Sequence, residues 1–176
     1  MRQAGQTPKR YLITGVAGSG KSTLEKRFRQ EGYITVDIDD GYAEWRHATT
    51  DEVLPYTPDE PGWHEVAEWA VKTDDLRAFF DTHPTEPVYV FGSFVRMKRV
   101  VGLFDDIFLL EYPNEATMRE RIAEREGGYG KHPGELARIA SYVRPYQDKM
   151  KQHGASAIDC TLPIEQIVSI IKGKKA

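Results

Sequence analysis

The eight residues from Gly15 to Ser22, reading G-V-A-G-S-G-K-S, constrain this chain more than any other stretch. An apolar run, Tyr11-Leu12-Ile13-Thr14, leads in, and a helix-forming run from Thr23 onward leads out. The pattern G-x-x-x-x-G-K-[ST] therefore stands between strand and helix, the context a phosphate-binding loop requires. Gly15, Gly18 and Gly20 permit a tight path, partly at positive φ, that aims successive backbone N–H groups at a phosphate. Ala17, Ser19 and Thr23 complete the loop and the first helical turn, whose dipole adds a positive end. Lys21 is expected on the β- and γ-phosphates, and the Ser22 hydroxyl on Mg²⁺ carried by the nucleotide. The dinucleotide fingerprint fits less well, because Gly18-Ser19-Gly20-Lys21-Ser22-Thr23 lacks the third glycine of G-x-G-x-x-G. A nucleoside triphosphate site, ATP or GTP, follows.

Strand signals recur after the loop at Tyr33–Ile38, Val88–Gly92, Ile107–Leu110 and Ala157–Ile158, with helical runs between them. Leu24 and Phe28 mark one face of the first helix, which stops at Gly32 and leaves Glu25 among its water-facing residues. Strands alternating with helices after such a loop predict a three-layer α/β/α sandwich on a five-stranded parallel sheet. Residues 1–9 read as a disordered tail and 10–176 as one domain, with an acceptor-side insertion over 41–87 and a lid over 126–138. The insertion mixes aromatics, prolines and acids. Thr49–Gly62 reads as a loop, and Trp63–Val71 and Leu76–Phe80 as helices, so the insertion is expected to be small and helical.

With 176 residues, 40% of them hydrophobic, the chain is long enough for one substantial core. Its 24 basic and 27 acidic residues give a net charge of −3, which supplies no basic field for nucleic acid or anionic membrane. One cysteine, Cys160, excludes an intrachain disulfide framework, and no apolar run is long enough to span a bilayer. The expectation is a cytoplasmic monomer acting on a small molecule.

Three further clusters carry candidate chemistry. Asp37 and Asp39 lie two apart at the end of the second strand, so on an extended backbone both carboxylates point the same way. One suits a water on Mg²⁺ and the other an acceptor hydroxyl, against the plainer reading of Asp39-Asp40-Gly41 as a solvated turn. Arg121 and Arg125 share a helix face next to Gly127-Gly128-Tyr129-Gly130, an arrangement suited to a lid closing on phosphate, with Arg119 a weaker candidate. Arg96, after the third strand, is positioned to meet an acceptor oxyanion, with a basic surface turn as the competing reading. Cys160 reads as a buried thiol, and the scattered histidines indicate no zinc site.

On these motifs the chain resembles the small P-loop kinases, the shikimate kinase, gluconate kinase and adenylate kinase group. Asp37-Ile38-Asp39 is similar to the D-x-D that serves Mg²⁺ and the acceptor in shikimate kinase. The resemblance thus implies catalytic roles for Lys21, Asp37, Asp39 and Arg125, Mg²⁺ on Ser22 and Asp37, and the acceptor at Asp39 and Arg96. Arg121-Ile122-Ala123-Glu124-Arg125 is similar to the R-x-x-x-R entering the lid, whose arginines contact adenine and phosphates. Gly154–Thr161 is similar to the adenine-facing loop. The glycine-rich shikimate-holding stretch is absent, since Gly92-Ser93-Phe94 stands there, and the adenylate kinase Asp-Gly-Phe-Pro-Arg is only echoed by Gly92-Ser93-Phe94-Val95-Arg96. The implied function is ATP- and Mg²⁺-dependent transfer of a γ-phosphate to a small-molecule hydroxyl. A nucleotide or nucleoside kinase and a nucleotide-dependent regulatory switch are the alternatives. A GTPase is disfavoured because N-K-x-D is absent.

Overall fold

The computed structural model describes residues 9–57, 59–124 and 133–173, apart from the side chains of Met97 and of residues 133–135. In chain order the elements are β1 (Arg10–Thr14), α1 (Lys21–Gln30), β2 (Ile34–Asp37), β3 (Ala43–His47), α2 (Trp63–Val66), β4 (Ala67–Val71) and α3 (Thr73–Asp81). There follow β5 (Val88–Phe91), β6 (Asp106–Glu111), α4 (Glu115–Glu124), α5 (Pro133–Gln152), β7 (Ser156–Asp159) and α6 (Ile164–Gly173).

The central sheet has the order β2-β5-β1-β6-β7 and is parallel at each pairing. Its inner strands are buried on both faces, which is why they read as unbroken apolar runs. Tyr11, Ile13, Tyr89, Phe91, Phe108 and Leu110 point to one side, where Leu24 and Phe28 of α1 and Ile167 and Ile171 of α6 cover them. Leu12, Val88, Val90, Ile107 and Leu109 point to the other, against Leu76 and Phe80 of α3 and Met150 near the end of α5. Phe28 sits against Tyr89 at 4.7 Å and Phe91 at 5.9 Å between ring centroids, so truncating it to alanine should cost about 3–5 kcal/mol. The three-layer α/β/α architecture is as the sequence predicts, with all five parallel strands where the apolar runs lie.

Two local expectations are corrected. The insertion is not all helical: Trp63–Val71 is a single helical turn, α2, followed at Ala67 by strand β4, which pairs antiparallel with β3. Alanine-rich composition favours a helix there, but a pleated surface that buries Ala43, Ala67 and Val71 and pairs Trp45 with Trp69 prevails. Glu25 does not face water; it is 5% exposed, accepts a 2.5 Å hydrogen bond from the Thr35 hydroxyl and pairs with Arg29. No helix among the described residues is long and apolar enough to cross a membrane.

Candidate active site

Because the sheet is parallel, its strands all end at one edge, and the loops after β1, β2, β5, β6 and β7 gather there. The loop after β1 wraps onto the start of α1. Gly15 has no room for a side chain: an added Cβ would lie 2.6 Å from Ser19 Oγ and 2.8 Å from the Leu110 carbonyl. Gly20 precedes α1 at φ 97°, and no side chain caps the helix, so the positive end of the helix dipole is open to an anion. The Lys21 ammonium donates to the carbonyls of Gly15 at 2.5 Å and Val16 at 3.1 Å. Ser19 Oγ is buried without a hydrogen-bond partner among the described residues. A closely wound loop with a lysine head resting on it and an orphaned hydroxyl inside it fits a polyphosphate.

Asp37 closes β2 in one row with Phe91 of β5 and Ile13 of β1. Residues so paired share a face, and Phe91 and Ile13 belong to the core under α1, so Asp37 faces the side of the sheet where Lys21 and Ser22 begin that helix. Two strand spacings, about 10 Å, separate its backbone from that of Ile13. Burial pushes the Asp37 carboxyl above the ordinary aspartate range; the amide of Asp39, donating to its Oδ1 at 3.0 Å, works in the opposite direction.

Asp39 does not lie beside Asp37 on an extended strand, as the spacing argument supposed. The strand ends at Asp37, and Ile38–Gly41 form a turn closed by Asp40 N on the Asp37 carbonyl and Tyr42 N on the Ile38 carbonyl. The two acids are thereby divided: Asp37 looks toward α1, while Asp39 Oδ1 accepts a 2.9 Å bond from the Trp69 indole of the hairpin.

On the other side of the loop a cavity of about 330 Å³ opens between α1, α4 and α6, lined by Gly18, Ser19, Gly20, Arg121, Cys160 and Leu162 among others. Arg121 lies near the Cys160 thiol and Asp159. Burial pushes that thiol up to about 11, so Cys160 stays protonated at neutral pH. Arg119 is tied to Glu115 on the surface. Arg125 and residues 126–132 of the expected lid lie outside the described residues, and 133–138 form the first turns of α5.

Arg96 does not wait at the site for an oxyanion. Its Nε binds Glu68 at 2.7 Å, one terminal nitrogen binds Asp51 and the other the His47 carbonyl at 2.7 Å, so the guanidinium is spent fastening the hairpin to the loop after β5. Its side chain is only 13% exposed.

Other residues organise this edge without having stood out in the sequence. Tyr146 of α5 lies 2.5 Å from the Thr14 hydroxyl, just before the loop, and also meets the backbone of Phe94. Burial pushes its phenol up to about 12, so it remains neutral. Its neighbour Gln147 accepts from Tyr112 N at 3.0 Å and donates to Glu111, fixing α5 to the end of β6. A signal for the hairpin was present: Ala43-Glu44-Trp45 and Ala67-Glu68-Trp69 repeat the same tripeptide on the two paired strands.

No protein-family model matches the sequence, and no curated protein matches it. Solved structures do resemble it in fold. The Thermus thermophilus protein TT1252 aligns with a TM-score of 0.60 at 16% identity, over 97% of this chain and 100% of that one. A sugar kinase from a Janibacter species aligns at 0.53 and 18% identity, over 93% and 92%. Deoxyadenosine kinase from M. mycoides, with dCMP and dCDP bound, aligns at 0.53 and 14% identity, over 94% and 98%. The chain shares its three-layer α/β/α fold with these structures.

Proposed function

We propose that the protein is an ATP- and Mg²⁺-dependent phosphotransferase that passes the γ-phosphate to a hydroxyl of a small molecule. The observation that carries this reading is the division of labour at one sheet edge. Lys21 and the loop stand on β1, Asp37 faces α1 from two strands away, and Asp39 is turned to the hairpin. A nucleotide switch needs the loop but has no use for an acid presented toward a separate lobe.

Mg²⁺ fits as a companion of the nucleotide. Among the described residues no group of three or more His, Cys, Asp or Glu could hold an ion alone, so Ser22 and Asp37 would share it with phosphate oxygens and water. When bound, the ion neutralises charge on the β- and γ-phosphates. Lys21 moves from the carbonyls of Gly15 and Val16 to the phosphate oxygens. Asp39 orients the acceptor hydroxyl and takes up its proton as the new O–P bond forms and the bond to ADP breaks. The cavity beside Arg121 and Leu162 takes the nucleotide base, and the role on the transferring phosphate falls to Arg125 of the R-x-x-x-R sequence.

A nucleotide or nucleoside kinase is the second reading, favoured by the likeness to deoxyadenosine kinase. The engagement of Arg96 with Glu68, Asp51 and His47 weighs against the nucleotide form of it, in which the acceptor is a phosphate that this arginine would hold; a nucleoside, whose acceptor is a hydroxyl, stays within the first reading. Incubation with ATP, Mg²⁺ and metabolite extracts, read by mass spectrometry, tests the proposal. Acceptor-dependent ADP with a new phosphoester is expected, and slow hydrolysis indifferent to every extract would refute it.

A further inference from the structure

The two faces of the β3–β4 hairpin differ in chemistry. One carries Glu44, Arg46 and Glu68, and the cations around it are neutralised in place: Arg46 by Glu44, Arg96 by Glu68 and Asp51, Lys72 by Asp75. The opposite face carries rings. Trp45 is their centre, its centroid 5.0 Å from Trp69, 4.7 Å from Trp63 and 6.0 Å from Tyr56, which stacks on it while remaining 67% exposed. Trp63 is buried beneath the series, its indole N–H used on the Pro55 carbonyl, so the accessible rings are Tyr56, Trp45 and Trp69. The Trp69 N–H is used on Asp39, which joins the ring series to the turn bearing Asp37, Asp39 and Asp40. Arg138, held on His64, borders the opposite end of the series.

Aromatic faces carry negative quadrupole potential and attract cations within about 6 Å of their centroids, most strongly for tryptophan. Here that surface runs directly into the Asp39 carboxylate, which accepts from Trp69. Building on the phosphotransferase reading, we propose that this face binds the positively charged end of the acceptor, and that the substrate class is the ammonium-bearing alcohols. The rings hold the ammonium group, and Asp39, fixed by Trp69, receives the hydroxyl on the side facing the γ-phosphate. Charge complementarity disfavours an anionic acceptor at the same place, since it would lie against Asp39.

All three tryptophans of the chain lie in this insertion, so tryptophan emission excited where tyrosine does not absorb reports on it alone. The probes are choline and its uncharged carbon isostere, dimethylbutanol, titrated into the full-length protein. Saturable quenching is expected, with choline binding about fivefold or more tighter than the isostere. Tyr56→Ala, at an exposed ring, should weaken choline by about the same factor, whereas Tyr56→Phe should preserve binding. Equal affinity for the two probes, or choline binding indifferent to both Tyr56→Ala and Trp45→Leu, would overturn the proposal. Failure of the underlying kinase reading would appear separately, as ATP binding that does not respond to Lys21→Ala.

Discussion

Arg96 and Asp51 are ion-paired, and they are the two non-glycine residues among those described whose backbones sit at positive φ, 62° and 66°. Each adopts a backbone conformation that an L side chain rarely takes, and their pairing holds both in it. The clasp joins the hairpin to the loop after β5, and through it the aromatic face keeps its aim on Asp39. Arg96→Ala should destabilise the insertion by about 2 kcal/mol and separate its unfolding from that of the sheet. Tryptophan fluorescence should then lose its native signal at lower urea than far-UV circular dichroism does. Coincident transitions in the variant would mean the clasp is not what anchors the hairpin.

The parallel sheet and the tight turn from β1 into α1 were legible because they rest on local signals: apolar runs for strands buried on both faces, and glycines between strand and helix. The hairpin was not, because Trp63–Val71 satisfies a helical period as well as a strand and only the pairing of Trp45 with Trp69 decides between them. The role of Arg96 was hidden for a related reason. Its partners Asp51, Glu68 and His47 are 45, 28 and 49 residues away, and nothing in its own neighbourhood signals them. The acids at the end of β2 were found by position, but the inference that they point together failed at Ile38, where the strand turns.

Asp37 should betray its function by its cost to the fold. Its carboxyl is held above the ordinary aspartate range by burial, so between that range and its raised value the folded state binds more protons than the unfolded one, and stability falls as pH rises through the window. Asp37→Asn removes the penalty. Without Mg²⁺ or nucleotide, the variant should melt above the parent at neutral pH and equal it below the ordinary aspartate range. Phosphoryl transfer should drop about 100-fold in the same variant. A variant less stable than the parent at neutral pH would contradict the assignment of Asp37 as a strained functional acid.

Gly92 allows β5 to pass close beneath the acid-bearing turn: an added Cβ would lie 2.7 Å from Ile38 Cβ and 3.0 Å from its Cγ1. Ile38 is wholly buried between Asp37 and Asp39, so it cannot yield without moving them. Gly92→Ala should cost about 1–3 kcal/mol of stability and lower phosphoryl transfer by about 10- to 100-fold. ATP affinity, which depends on the loop after β1, should change much less. Calorimetric ATP titration beside turnover separates the two, and an equal loss in both would place the damage in the nucleotide site instead.

The central claim is that Lys21 and its loop hold a triphosphate whose terminal phosphoryl group goes to an acceptor brought in by the hairpin. The most direct measurement is transfer of labelled γ-phosphate from ATP in the presence of Mg²⁺, scored by mass spectrometry on a panel of alcohols, amino alcohols and nucleosides, with the parent protein and a folded Lys21→Ala variant side by side. The account predicts a phosphorylated alcohol formed one-for-one with ADP by the parent, and a loss of about two orders of magnitude or more in Lys21→Ala. Equal turnover by the two proteins, or ADP released at the same rate whether or not any acceptor is present, would contradict it.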